Sequence, residues 1–136
     1  MAYDETYETL HRDLLPVFLG SNRTSHRLAA VLFRRYGTIS VIADRRRTLR
    51  DLFNPATAFF ALPSLEEPRL VTELLLELAG KDRDAFPLLI PCTEEYKAMT
   101  AKEAEHLESR FILSEDTTLL EHSPIADFPR EGGVLR

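Results

Sequence analysis

Leu14-Leu15-Pro16-Val17-Phe18-Leu19-Gly20-Ser21-Asn22 decides the fold. A short apolar run meets a glycine turn and then a polar helix start, which reads as a buried strand feeding a helix through a tight loop. Pro16 has no N–H to give and belongs near the start of the strand. Gly20 lets the chain turn, and Ser21, Asn22 or Thr24 can cap the helix. The spacing of Leu28, Val31, Leu32 and Tyr36 predicts that helix over roughly residues 23–36. Arg34 and Arg35 complement its carboxyl end, and Gly37 supplies a left-handed stop.

The same strand–helix logic repeats outward from this unit. Thr38 to Ala43 is β-branched and bounded by Gly37 and Asp44, as a parallel strand should be. Asp44-Arg45-Arg46-Arg47 reads as an exposed loop, Thr48 to Phe53 as one helical turn broken at Asn54-Pro55, and Ala56 to Leu62 as a third strand. Ser64-x-x-Glu67 matches a capping box with Pro68 in the first turn, opening a helix with Leu70, Val71, Leu74, Leu75, Leu78 and Ala79 on one face and Gly80 at its end. Phe86 to Ile90 is the most continuously apolar strand and is placed centrally. Glu94 and Glu95 open the next helix. Thr100-x-x-Glu103 is a second capping box, predicting a break near Met99–Thr100 and a further helix to about Ser109. Phe111 to Leu113 is a fifth strand, and residues 116–121 begin one more helix. The expectation is an α/β fold: an open parallel sheet of about five strands, ordered 3-2-1-4-5, with helices on both faces. Residues 14–122 form the domain, residues 1–13 an arm, and residues 123–136 a tail.

Bulk properties narrow the function. A chain of 136 residues suits one core, and its 44% apolar content is ordinary for a folded domain. No apolar run approaches the ~20 residues that span a bilayer, so no membrane partner is expected. The N-terminus is polar and acidic, unlike a signal peptide. One cysteine, Cys92, makes no internal disulfide and fits a reducing cytoplasm. His11, His26, His106 and His122 lack ligand spacing, so no metal site is expected. A net charge of −5 argues against nucleic acid. The charge is uneven: residues 34–50 hold six arginines and one acid, and residues 64–122 hold fourteen acids and six bases.

At the expected switch point between the first and fourth strands, Gly20-Ser21-Asn22 would meet Pro91-Cys92-Thr93-Glu94-Glu95. A strand, Gly20, a helix and then Asp44 is the layout of a dinucleotide site, and the arginines after Asp44 would suit a 2′-phosphate. The glycine fingerprint fails, because only the first glycine is present in Gly20-Ser21-Asn22-Arg23-Thr24-Ser25. Cys92 precedes a helix N-terminus, where a thiol can be activated, or is simply a small buried residue. Glu94 and Glu95 either serve acid–base or cation chemistry or merely complement the helix dipole. Arg45, Arg46, Arg47 and Arg50 form either a solvated loop or a docking surface for an acidic partner. His26 reads as a surface or core histidine.

The run Leu15-Pro16-Val17-Phe18-Leu19-Gly20-Ser21, with a helix ending Arg35-Tyr36-Gly37, resembles the start of ATP-grasp carboxylate–amine ligases of the carbamoyl-phosphate-synthase and D-aspartate-ligase kind. So do Leu88-Leu89-Ile90-Pro91-Cys92-Thr93-Glu94-Glu95-Tyr96 and the later Phe111-Ile112-Leu113. The resemblance covers about residues 14–120 and implies the N-terminal pre-ATP-grasp domain, a Rossmann-like unit, either as part of such a ligase or as a short relative that lacks the catalytic ATP-grasp domain. Such ligases join a carboxylate to an amine through an acyl-phosphate, using ATP and magnesium held by a separate ATP-grasp domain further along the chain. The resemblance therefore implies no catalytic residue and no cofactor in this chain. It makes Gly20, Ser21, Asn22, Pro91, Thr93, Glu94 and Glu95 contact residues facing a cleft or a neighbouring domain. Two other expectations stand beside it: a non-catalytic module that binds a partner or itself, and a small NADP- or nucleotide-binding domain.

Overall fold

The computed structural model describes residues 14–81 and 85–114. The expected arm, the tail and the helix expected from residue 116 lie outside these residues. Five parallel strands form one sheet in the order β3-β2-β1-β4-β5, as expected. The strands are β1 (Leu14–Leu19), β2 (Ser40–Asp44), β3 (Thr57–Ala61), β4 (Phe86–Pro91) and β5 (Ile112–Leu113). The helices are α1 (Arg23–Tyr36), α2 (Leu49–Phe53), α3 (Pro68–Gly80), α4 (Glu94–Lys102) and α5 (Ala104–Leu107).

β1 is apolar throughout because it is covered on both faces. Val17 and Leu19 pack into one core with Val71, Leu75, Tyr96, Met99 and Leu107 of α3, α4 and α5. Phe18, on the opposite face, packs with Leu28, Ala29 and Leu32 of α1 and with Ile42, Leu88 and Ile90 of the sheet. The prolines fit the register. β2 joins β1 only from Val17 onward and β5 joins β4 only from Leu88 onward, so Pro16 and Pro87 each precede the doubly paired part of their strand. A missing N–H is tolerated there.

Two helix starts differ from expectation. Ser64 does not cap α3; Glu67 is its N-cap, without a side-chain cap bond, and Pro68 is its first residue. A residue before proline is pushed out of the helical region, so the helix cannot begin earlier than Pro68. Ser64 Oγ instead accepts the Glu66 N–H at 3.1 Å, in the turn ahead of the helix. Nor does Thr100 start a helix. It lies inside α4, where its hydroxyl donates to the Lys97 carbonyl at 3.0 Å. A hydroxyl turned back on that carbonyl does not cap a following helix, and the break falls at Glu103. The Glu103 carboxylate is tied to Arg69 Nε of α3 at 3.1 Å.

Candidate functional site at the carboxyl edge

The switch point forms where the loops after β1, β2 and β4 meet. Gly20, with φ +108°, donates its N–H to the Ala43 carbonyl at 2.8 Å, and Cys92 donates its N–H to the Leu19 carbonyl at 2.8 Å. Asn22 is the N-cap of α1: its Oδ1 accepts the Ser25 N–H at 2.9 Å, and its own N–H donates to Ser25 Oγ at 3.0 Å. Asn22 Nδ2 donates to the Cys92 carbonyl at 2.9 Å, tying the first and fourth loops together. Thr93 caps α4 by accepting the Tyr96 N–H at 3.1 Å. Its methyl occupies the space above Gly20; a Cβ at Gly20 would lie 2.7 Å from Thr93 Cγ2.

Asp44 ends β2 and turns inward. Its Oδ2 accepts the Ser21 N–H at 2.7 Å, and its Oδ1 accepts the Arg45 N–H at 2.7 Å and the Tyr96 hydroxyl at 3.2 Å. Burial raises the Tyr96 phenol pKa, and the charge and hydrogen bond of Asp44 raise it further. Beyond Asp44 and Tyr96 lies an open cleft of about 450 Å³, bordered also by Arg45, Ser64, Leu65, Glu66, Thr93 and Glu95.

A second cluster joins the β1 loop to α2. Ser21 Oγ lies 2.8 and 2.9 Å from the two Asp51 carboxylate oxygens, and His26 Nε2 lies 2.8 Å from Asp51 Oδ1. The Thr48 N–H donates to Asp51 Oδ2 at 2.7 Å, and the Thr48 hydroxyl sits 3.0 Å from the same oxygen. The His26 and Asp51 side chains are only 6% and 1% exposed. Burial alone would raise the Asp51 carboxyl pKa, but donors from Thr48, Ser21 and His26 outweigh it and hold the group below its ordinary 3.8.

Serine, histidine and aspartate meet here, yet the proton inventory forbids nucleophile activation. Asn54 Oδ1 accepts the Ala56 N–H at 2.9 Å, so Asn54 Nδ2 faces His26 Nδ1, 2.8 Å away. Nδ1 is therefore an acceptor, the ring proton sits on Nε2, and Nε2–H points at Asp51. The Ser21 hydroxyl faces the carboxylate rather than a basic nitrogen. His26 Nε2 is 3.3 Å from Ser21 Oγ, but it is already committed as a donor to Asp51. A working triad puts serine and carboxylate on opposite ring nitrogens. This cluster is a clamp that fastens α2 to the start of α1.

The sequence-derived candidates divide accordingly. Gly20, Ser21, Asn22, Pro91 and Thr93 do meet at the switch point. Ser21 and Asn22 are consumed by internal bonds, and Pro91 is buried at the β4 end opposite Leu19. Thr93 and Glu95 border the cleft. Glu94 is exposed and pairs with Lys97 at 3.4 Å. Arg45 borders the cleft, the Arg47 guanidinium lies 5.5 Å from the Phe59 ring centroid, and Arg46 and Arg50 are exposed. Burial pushes the Cys92 thiol up to about 12, with Lys97 opposing only in part, and the sulfur lies 3.6 Å from the Ile90 carbonyl. It is no activated nucleophile.

Thr48, Asp51, Asn54 and the partners of His26 escape sequence reading, because nothing along the chain links residues 21, 26, 51 and 54. One local signal was present: Thr48-x-x-Asp51 has capping spacing, and the structure makes it a reciprocal capping box. Among the described residues, no three metal-ligating side chains group together, and no helix is long and apolar enough to cross a membrane. Comparison with protein-family models, with curated proteins and with solved structures gives no match.

Proposed function

We infer that this chain serves as a pre-ATP-grasp-like domain: a non-catalytic α/β unit whose carboxyl-edge cleft contacts a substrate or a neighbouring domain of an ATP-dependent carboxylate–amine ligase. The observation that carries the reading is the placement of the Pro91-to-Tyr96 segment. This family-like run leaves the sheet at the switch point, seats Thr93 over Gly20, and borders the cleft with Thr93, Glu95 and Tyr96. The reading draws both its ligase context and its non-catalytic character from the sequence resemblance, and the site contributes the contact cleft. A reducing cytoplasm suits the lone Cys92 thiol.

The geometry weighs against the dinucleotide alternative. A pyrophosphate needs loop amides and close backbone approach. The Ser21 amide is taken by Asp44, and the space above Gly20 is filled by Thr93. Asp44, which would hold a ribose, is already bonded to Ser21, Arg45 and Tyr96.

The test has two arms. The messenger is read past codon 136, where the expected result is a continuous frame into a domain carrying the ATP and magnesium residues. In parallel, thermal unfolding of the 136-residue chain is followed with NADPH and with ATP and magnesium, and neither is expected to shift the midpoint. Robust ATP turnover by this chain alone, or stabilisation by NADPH, would overturn the reading.

A further inference from the structure

Of the five residues of α2 only Asp51 is buried, and its carboxylate fastens the helix through Ser21, His26 and Thr48. Each residue advances about 100° around a helix axis. Leu49, Leu52 and Phe53 therefore share the side opposite Asp51, and they are 72%, 56% and 77% exposed. Polar bonds hold the helix from one side, and an apolar tip faces solvent on the other. Arg45, Arg46, Arg47 and Arg50 beside that tip are exposed. Neither acid of the stretch offsets them at the surface: Asp44 accepts Ser21, Arg45 and Tyr96, and Asp51 is spent in the clamp.

The cationic character extends onto α1. Residues 23–50 hold eight arginines and a single acid, Asp44. Leu28, Ala29 and Leu32 mark the core side of α1, and Arg23, Arg27 and Arg34 fall together on its outer side, all exposed. His26, between the two sides, joins α1 to α2 through Asp51 and Asn54. Beyond β3 the balance reverses: residues 64–81 and 85–114 hold nine acids and five lysines and arginines. The chain is thus polarised, with its basic part carrying the most exposed apolar side chains.

We propose that the chain docks on the surface of an anionic phospholipid bilayer through α2. Leu49, Leu52 and Phe53 enter the boundary below the headgroups, and the arginines stay at headgroup level, where guanidinium groups bond phosphate. A bilayer receives protruding leucines without a pre-shaped groove, and its charge suits the arginines. A nucleic acid offers phosphates but no hydrocarbon layer for two leucines. The acids beyond β3 are repelled by the same surface, which orients the chain with α2 towards it. This is contact with a bilayer surface and not a span, and it revises the expectation of no membrane partner. It does not depend on the ligase reading.

Cosedimentation of the full 136-residue chain with vesicles tests this, using phosphatidylcholine alone and phosphatidylcholine with about 30% phosphatidylglycerol, at about 50 and 500 mM salt. Binding is expected to the anionic vesicles at low salt, at least tenfold weaker at high salt, and absent on neutral vesicles. Arg46→Gln with Arg50→Gln should weaken it about thirtyfold. Leu52→Ser, which keeps every charge, should weaken it at least about tenfold. Circular dichroism checks that these exposed-site variants fold. The chain has no tryptophan, so Phe53→Trp is a single reporter. Its emission should shift to the blue on anionic vesicles and be quenched by lipids brominated on the acyl chain. Leu70→Trp, on α3 among the acids, should do neither. Failure to bind anionic vesicles overturns the proposal. So does binding that Leu52→Ser leaves unchanged, or Phe53→Trp emission that vesicles do not move. Duplex DNA that binds more tightly than the vesicles at the same salt, and equally well with Leu52→Ser, would assign the patch to nucleic acid instead.

Discussion

Asp51 shows how a single carboxylate can fix a loop that has almost no hydrophobic core of its own. Its pKa lies below 3.8 in the folded chain, so on acidification the unfolded chain takes up this proton first. The stabilisation is complete above the unfolded value and is lost as pH falls through about 4 towards the folded value. Urea unfolding between pH 3 and 7 should show this contribution rising with pH up to about 5 and level above it. Asp51→Asn should destabilise the protein by about 2–4 kcal/mol at neutral pH, because buried donors lose a charged acceptor. It should also remove the Asp51 share of the acid slope; an unchanged slope would mean that Asp51 is not the group responsible. Cys92 offers a second test at this scale. Its thiol is raised from 9.0 to about 12. Only the thiolate reacts, so alkylation at pH 8 should run about a thousandfold slower in the native chain than in urea. Native labelling at the rate of a free thiol would restore Cys92 as a candidate nucleophile. Neither behaviour was legible in the sequence: the neighbours that set them are spatial, and a sequence shows only that Cys92 precedes a helix and that Asp51 sits in a short one.

At the scale of elements, legibility followed locality. α1 was readable because Asn22, Arg34, Arg35 and Gly37 punctuate it, and Gly37 adopts the left-handed cap at φ +70°. The starts of α3 and α5 were misread where two local rules competed. A Ser-x-x-Glu pattern lost to the steric demand of Pro68, and a Thr-x-x-Glu pattern lost to the back-bond of a buried Thr100. The turn between β1 and α1 was recognised from Gly20, but its second constraint was not, because Thr93 approaches from across the sheet. That double constraint makes a prediction. Gly20→Ala combines a left-handed backbone with a Cβ 2.7 Å from the Thr93 methyl, so the variant should lose about 2–3 kcal/mol. Gly37→Ala meets open space and bears backbone strain alone, so its cost should be about 1 kcal/mol. Thr93→Ser in the Gly20→Ala background removes the opposing methyl and should recover part of the loss, as chemical denaturation of the double variant would show. No recovery would place the whole penalty in the backbone.

At the scale of the molecule, stability should fall from the centre of the sheet to its edges. The 3-2-1-4-5 order was legible because β1 and β4 are continuously apolar and because right-handed crossovers leave few other arrangements. The unequal quality of the edges was not legible. β1 pairs on both sides, and Val17, Phe18 and Leu19 are fully buried between two helical layers. β3 is at best half-buried along its length, and β5 has only two residues. Local opening is easiest where few apolar contacts and little burial resist it. Amide hydrogen exchange should therefore find Val17, Phe18, Leu19, Leu89 and Ile90 the slowest, opening only with global unfolding. Amides of β3 and β5 should exchange at least about a hundredfold faster, through local fraying. The α2 clamp adds a finer distinction, since Asp51→Asn should accelerate exchange in α2 and β3 while leaving β4 and β5 in their original order. If β3 were instead as protected as β1, its edge would have to be covered, and dependence of that protection on protein concentration would distinguish association between chains from a cover within one chain.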